Sequence, residues 1–204
     1  MPKKIVIIRH GRTEFNHKDI IQGHLSVGLD SIGLQQALTV AKKIKKENFA
    51  ALISSDLLRA MQTANPIAKK LNLRILSNIL LRERALGLLE GKKKIDTFNL
   101  LNIAPSRQAY QIWSFKETVE MINKFKIESD NNFYNRVKTF TDYLKQKYQN
   151  KNILLVSHGG TIRVLLYHLG FTDKKFLEDI VIKNCTMITL TKENKKYKLI
   201  LEHI

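Results

Sequence analysis

The stretch KIVIIRHGRTEFN, residues 4–16, carries the apolar run Ile5–Ile8 directly into Arg9, His10 and Gly11. Four branched residues in a row fit a short strand buried on both faces, and they are too few for a signal-peptide core or a membrane span. Similar runs recur at Ala50–Ile53, Leu73–Leu76 and Ile153–Val156, with helical patterns between them. Strands alternating with helices predict an α/β protein with three layers, α/β/α, around a mainly parallel central sheet. In that architecture ligands bind beyond the carboxyl ends of the strands. There the first strand ends on Arg9-His10-Gly11, the second runs into SSDLLRA (54–60), and the fourth ends on Ser157-His158-Gly159-Gly160.

In SIGLQQALTVAKKIKKE, residues 31–47, Leu34, Leu38, Ala41 and Ile44 are spaced to form one apolar helix face. DLLRAMQTANPIAKKLN, residues 56–72, starts on Asp56, a natural N-cap, and Pro66 inside it predicts a kink or an early end. Residues 130–148 set Phe133, Val137, Phe140 and Leu144 on one side, and TIRVLLYHLG (161–170) reads as a helix stopped by Gly170. The tail holds two strands, CTMITLTK (185–192) and KYKLILEHI (196–204), around a polar turn. Cys185 is expected as a small buried side chain of the first of these. A single domain over 1–204 is expected, with a helical, cap-like insertion at about 92–127.

The chain has 204 residues, 44% hydrophobic and 26% charged, which suits one globular core and excludes a disordered chain. MPKKIVIIRHG has neither the h-region nor the cleavage site of a secretory signal, so a cytoplasmic protein is expected, with no membrane association. The single cysteine rules out an intramolecular disulfide and a cysteine-rich metal site. A net charge of +17 matches the electrostatic footprint of a nucleic-acid binder. The lysines, however, come as scattered pairs and triplets such as Lys42-Lys43, Lys69-Lys70 and Lys92–Lys94, several on polar faces or ends of helical patterns. A lysine-rich solvated surface is the preferred reading, and nucleic acid the lesser partner class.

Taken alone, a strand-end histidine is usually just a hydrogen-bonded, partly exposed residue. Two of them, His10 and His158, each followed by glycine, with Arg9 and Arg59 on the same sheet edge, make a nitrogen-rich group suited to a phosphoryl dianion. Gly11 and Gly159 are expected to let the backbone approach that ligand. Zinc is the competing explanation, but it needs three or more ligands at recognisable spacing. No H-E-x-x-H, H-x-H or carboxylate cluster is present, and Arg9 opposes a dication. No metal and no cofactor are expected. Neither G-x-x-x-x-G-K-[ST] nor G-x-G-x-x-G occurs, so nucleotide binding through those devices has no support.

RHGRTEFN (9–16) resembles the signature of the histidine phosphatase superfamily, the phosphoglycerate mutase-like proteins. IQGHLSVGLDSIGLQQA (21–37), SSDLLRAMQTA (54–64), LRERALGLLEG (81–91) and VSHGGTIR (156–163) are similar to that family's other blocks, in the same order. The match is weakest over about 92–127. The resemblance implies a phosphoglycerate mutase-like fold, a phosphohistidine formed on His10, and Glu83 as the proton donor. It implies Arg9, Arg59 and His158 as partners of the phosphoryl group, and Asn16, Gln22, Gly23 and Gly159 as substrate-binding residues. Glu90 is expected to support the site structurally, and Arg12 either lines it or points to solvent. His17, His24, His168 and His203 match no catalytic position and are expected at the surface or in packing. Leu86 and Leu89 stand where the family usually has aromatics, a change expected to act on packing or pocket shape.

The expected activity is metal-independent hydrolysis of a small phosphorylated metabolite by a monomer or homodimer. One alternative is mutase-type transfer to a second hydroxyl. The other is a basic nucleic-acid-binding protein on the same scaffold, which would have no need of Glu83.

Overall fold

The computed structural model describes residues 1–100, 119–194 and 196–203. Six strands form one sheet in the order β3-β2-β4-β1-β5-β6. They are β1 (Lys4–Arg9), β2 (Phe49–Ser54), β3 (Ile75–Ser77), β4 (Asn152–Ser157), β5 (Met187–Glu193) and β6 (Lys196–Glu202). β3, β2, β4 and β1 run parallel, while the tail strands β5 and β6 add antiparallel to β1. The result is the mainly parallel three-layer α/β/α architecture expected.

The interior of β1, Ile5 to Ile8, is apolar because the strand has a helical layer on each side. Val6 and Ile8 join the cluster that holds α2 (Ser31–Lys43) and α3 (Leu58–Leu71). Ile5 and Ile7 join the cluster holding α6 (Asp130–Lys147) and α7 (Gly159–His168). Each such buried side chain contributes about 1.5–3 kcal/mol of hydrophobic stabilisation. The stripe Phe133, Val137, Phe140 and Leu144 is buried, and Gly170 follows α7 at φ 107°, a left-handed conformation that suits glycine.

Several local expectations are corrected. α2 buries Gly33, Ala37, Val40 and Ala41, followed by Ile44, whereas Leu34 and Leu38 are 45% and 46% exposed. Small residues line the inner face because the helix comes close to the loop after β1. A Cβ on Gly11 would sit 2.7 Å from the Gly33 carbonyl oxygen. Gly11 therefore serves helix–loop packing and not ligand approach. α3 runs through Pro66 to Leu71, and its N-cap is Leu57, without a side-chain cap. Asp56 instead receives two hydrogen bonds from Arg82, at 2.8 and 2.5 Å. β3 starts at Ile75 and is a half-exposed edge strand, so the run at Leu73–Leu76 is not a buried one. Cys185 is buried but precedes β5, at φ 56°.

Of the insertion expected at 92–127, α4 (Lys94–Leu100) and α5 (Val119–Phe125) are described, and residues 101–118 lie outside the described residues. The described residues also include the short α-helices α1 (Glu14–His17) and α8 (Lys174–Asp179). Among the described residues no helix is long and apolar enough to cross a membrane.

Candidate active site

β1 and β4 are neighbours whose following helices lie on opposite faces, α2 on one and α7 on the other. A crevice opens between such strands at their carboxyl ends. The register Arg9↔Ser157 sets the next residues, His10 and His158, side by side with ring centroids 5.1 Å apart. β2, on the other flank of β4, delivers Ser55, whose hydroxyl lies 2.8 Å from His158 Nε2. His10 Nδ1 lies 2.8 Å from the Gly11 carbonyl oxygen, which can only accept. Nδ1 therefore carries the proton, and the Nε2 lone pair is left for other chemistry. Burial, then Arg59 and Arg9, hold His10 well below the ordinary imidazole value. Burial, then Arg59, His10 and Arg9, do the same to His158. Both rings stay neutral at neutral pH.

Two guanidiniums flank the pair. Arg9 Nη1 donates to the Ile182 carbonyl at 2.7 Å. Arg59, 1% exposed on the first turns of α3, donates to the carbonyls of Gly23 at 2.7 Å and Leu25 at 3.1 Å. Burial pushes the Arg59 pKa down to about 10, with Glu83 opposing the shift. Three buried nitrogens have no hydrogen-bond partner among the described residues: Arg9 Nε, Arg59 Nε and His158 Nδ1. An unsatisfied buried donor costs about 1–3 kcal/mol, so two guanidinium N–H groups beside an unpaired imidazole nitrogen point to an anion. Arg9, His10 and Arg59 line a cavity of about 330 Å³, together with Asn16, Gln22, Gly23, Glu83, Leu86, Gly159 and Gly160.

Glu83 enters from the segment after β3. Its Oε2 accepts from Gly160 N–H at 3.0 Å, and its Oε1 from Thr161 N–H at 3.2 Å and Arg84 N–H at 3.0 Å. The carboxyl group thus sits on the N-terminus of α7 and satisfies N–H groups that have no partner within the helix. Gly160 is required there, since a Cβ would lie 2.5 Å from Glu83 Oε1. Asn16 is the N3 residue of α1, and its amide oxygen receives the Thr13 N–H at 3.2 Å in a capping box. The buried Thr13 hydroxyl lies within hydrogen-bond distance of both carboxamides, 3.1 Å from Asn16 Oδ1 and 3.0 Å from Gln22 Oε1. Gly23 has φ 47°, and a Cβ there would collide with the Glu90 carboxylate. Glu90 Oε1 accepts from the N–H groups of His24 and Leu86, a purely supporting contact set.

A family model described as the histidine phosphatase superfamily (branch 1) matches residues 5–203. The chain belongs to the histidine phosphatase superfamily. It is 38% identical over 164 residues, 79% of its length and 69% of the relative's, to phosphoglycerate mutase-like protein 4 of Arabidopsis thaliana. It is 32% identical to the 2,3-bisphosphoglycerate-dependent phosphoglycerate mutase of Buchnera aphidicola, over 88% of this chain and 89% of that one. The structure of an Entamoeba histolytica phosphoserine phosphatase in complex with 3-phosphoglyceric acid matches at TM-score 0.74 and 26% identity, covering 100% of this chain and 98% of that one. The protein is thus a histidine phosphatase superfamily enzyme, and its relatives carry both phosphatase and mutase names.

Eight of the nine site residues expected of this histidine phosphatase line one cavity, and the ninth, His158, has its ring centroid 5.1 Å from that of His10. Arg12 does not line it, because its Nε donates to Asp30 Oδ2 at 2.8 Å. Leu86 and Leu89 pack with Ile21, Phe125 and Ile127, and Leu86 shapes the cavity wall. No group of three or more histidine, cysteine, aspartate or glutamate side chains among the described residues could hold a metal. Sequence reasoning missed Ser55, Thr63 and Arg163, and it set His24 too far from the site. His24 Nε2 donates to the Glu83 carbonyl at 2.7 Å. Thr63 accepts the Gly11 N–H at 2.9 Å and donates to the Arg59 carbonyl at 2.7 Å, joining the β1 loop to α3. Arg163 donates to the carbonyls of Gly159, Leu177 and Ile180. All three lie inside quoted blocks, but only the tertiary structure gives them partners.

Proposed function

We propose that the protein hydrolyses small phosphomonoesters through a phosphohistidine on His10. The observation that carries this reading is the set of three unpartnered buried nitrogens around a neutral imidazole. Arg9, Arg59 and His158 hold the phosphoryl oxygens, masking the charge that would repel a nucleophile. His10 Nε2 attacks phosphorus, the ester P–O bond breaks, and its electron pair goes to the leaving oxygen. Glu83, protonated when the ester binds, gives that oxygen its proton and is left as the carboxylate. Water then attacks the phosphohistidine, Glu83 takes a proton from the water, and the P–N bond breaks with its pair returning to Nε2. Inorganic phosphate leaves, and each group regains its starting state.

A cavity of about 330 Å³ lies at the small end of ligand sites, which favours a small metabolite over a macromolecular ester. The 3-phosphoglyceric acid bound by the Entamoeba relative makes three-carbon phosphorylated acids the first substrates to try. The mutase-named relatives supply the second reading, transfer to another hydroxyl. The test is a panel of phosphate esters, with chelator present, followed for free phosphate and for isomerised ester. Release of phosphate together with an acid-labile, base-stable phosphoryl label on wild type but not on His10→Ala is the expected result. Equal turnover by the two proteins, or complete dependence on added metal, would overturn it. Glu83→Gln is expected to lose about 10²–10⁴-fold on esters with poor leaving groups and much less on activated aryl esters.

A further inference from the structure

The segment 180–185, between α8 and β5, contributes nothing to the site as read from the sequence, yet it touches three of its residues. The Ile182 carbonyl accepts from Arg9 at 2.7 Å. Cys185 N–H points at the carbonyls of Arg9 and His10, at 3.1 and 3.3 Å. Between them, Asn184 Nδ2 lies 3.0 Å from the His10 carbonyl oxygen and 3.2 Å from Asn16 Oδ1.

Which way both carboxamides face follows from their fixed partners. The Thr13 N–H can only donate, so the Asn16 atom 3.2 Å away is its oxygen. The His10 carbonyl can only accept, so the Asn184 atom facing it is nitrogen. That nitrogen then donates a second time, to Asn16 Oδ1. The Thr13 hydroxyl lies 3.1 Å from Asn16 Oδ1 and 3.0 Å from Gln22 Oε1, and its one proton serves only one of them at a time. Asn16 Oδ1 thus accepts from the Thr13 N–H on its own helix turn and from Asn184 across the site. Its Nδ2 has no partner among the described residues and is left for the cavity that Asn16 lines. If the amide turned over, an oxygen lone pair would meet the phosphoryl oxygens and repel them.

We infer that Asn184 is a positioning residue of the phosphate site. It locks the Asn16 carboxamide with its N–H groups toward the phosphoryl oxygens, and ties that amide to the backbone of His10. The inference rests on the reading of the cavity as a phosphate site. Its chemistry is that of a donor acting through a donor: no atom of Asn184 need touch the substrate.

The test compares wild type, Asn184→Ala, Asn184→Asp, Asn16→Ala and the double variant Asn16→Ala/Asn184→Ala. Two quantities are read: kcat and KM on an aryl phosphate, and the calorimetric affinity for inorganic phosphate. Asn184→Ala is expected to weaken phosphate about 5- to 10-fold, the loss of one hydrogen-bonded donor. In the Asn16→Ala background the same change is expected to cost less than about twofold, because there is no carboxamide left to orient. Asn184→Asp keeps the shape but sets an oxygen against the two acceptors, so it should lose at least as much phosphate affinity. If Asn184→Ala fails to fold, this variant carries the test. An equal loss in both backgrounds, or unchanged phosphate affinity in Asn184→Asp, would overturn the inference. A wild type that binds phosphate but hydrolyses no ester fails the hydrolase reading alone. A wild type that does not bind phosphate overturns the inference as well.

Discussion

The carboxyl ends of β1 and β4 are built from nearly the same local sequence, an apolar strand followed by a polar residue, histidine and glycine. They lie side by side in register and bury both imidazoles, to 3% and 0% exposure. Their chemistry nevertheless differs. His10 spends Nδ1 on the next carbonyl and keeps an Nε2 lone pair, whereas His158 engages Nε2 with Ser55 and has an unpartnered Nδ1. The glycines differ as well. Gly11 meets the backbone of Gly33, while Gly159 has Arg9 and Arg163 at ordinary contact distance. The division of labour proposed for the two rings, nucleophile and donor, therefore rests on what each ring is bonded to, not on the strand–His–Gly pattern.

The largest expected effect separates the two rings. His10→Ala should lose about 10⁴-fold or more in kcat and form no phosphoenzyme, as removal of a nucleophile does. His158→Ala should lose about 10²–10³-fold and still become labelled, as removal of one charge-stabilising donor does. Equal losses and equal labelling would erase the distinction. Arg59→Ala is expected to cost about 2.7–4 kcal/mol of transition-state stabilisation, read as kcat/KM. A much smaller effect from Ser55→Ala, about fivefold in kcat/KM, would show that the hydroxyl acts only by orienting His158. No change would mean that the His158 tautomer is set elsewhere.

A final effect is on stability. Both histidines are held below the ordinary value of 6.5, chiefly by burial. Below pH 6.5 the unfolded chain therefore binds more protons than the folded one, and stability falls as pH falls, by up to about 1.4 kcal/mol per pH unit for each ring. Above pH 6.5 these rings add no pH dependence. Urea midpoints at pH 7.5 and 5.5 check this, with a smaller drop expected in His158→Gln. A midpoint that rises on acidification would contradict the burial of neutral imidazoles.

Much of the fold was legible because strands buried on both faces leave continuous apolar runs, and because α6 carries its core stripe in plain 3.6-residue spacing. α2 misled because its buried face is made of glycine and alanine, which carry little hydrophobic signal, while two leucines face outward. The half-exposed edge strand β3 was misplaced for a related reason: edge position depends on strand order, which no local window contains. His10, Arg9, Arg59 and His158 stood out from residue chemistry. Glu83 needed the family blocks, since a carboxylate between two arginines looks like a surface ion pair. Asn184 left no signal, because an asparagine in a turn is ordinary until its partners are known.

The sequence by itself determined the strand–helix alternation, the two strand-end histidines, the arginines near them and the family blocks. These are properties of local composition, period and order along the chain. Only the tertiary structure decided that the β4 end stands between those of β1 and β2, that Glu83 caps α7, and that Asn184 reaches Asn16. Hydrogen-bond partners 77 and 168 residues apart depend on register and strand order, which arise when the sheet assembles.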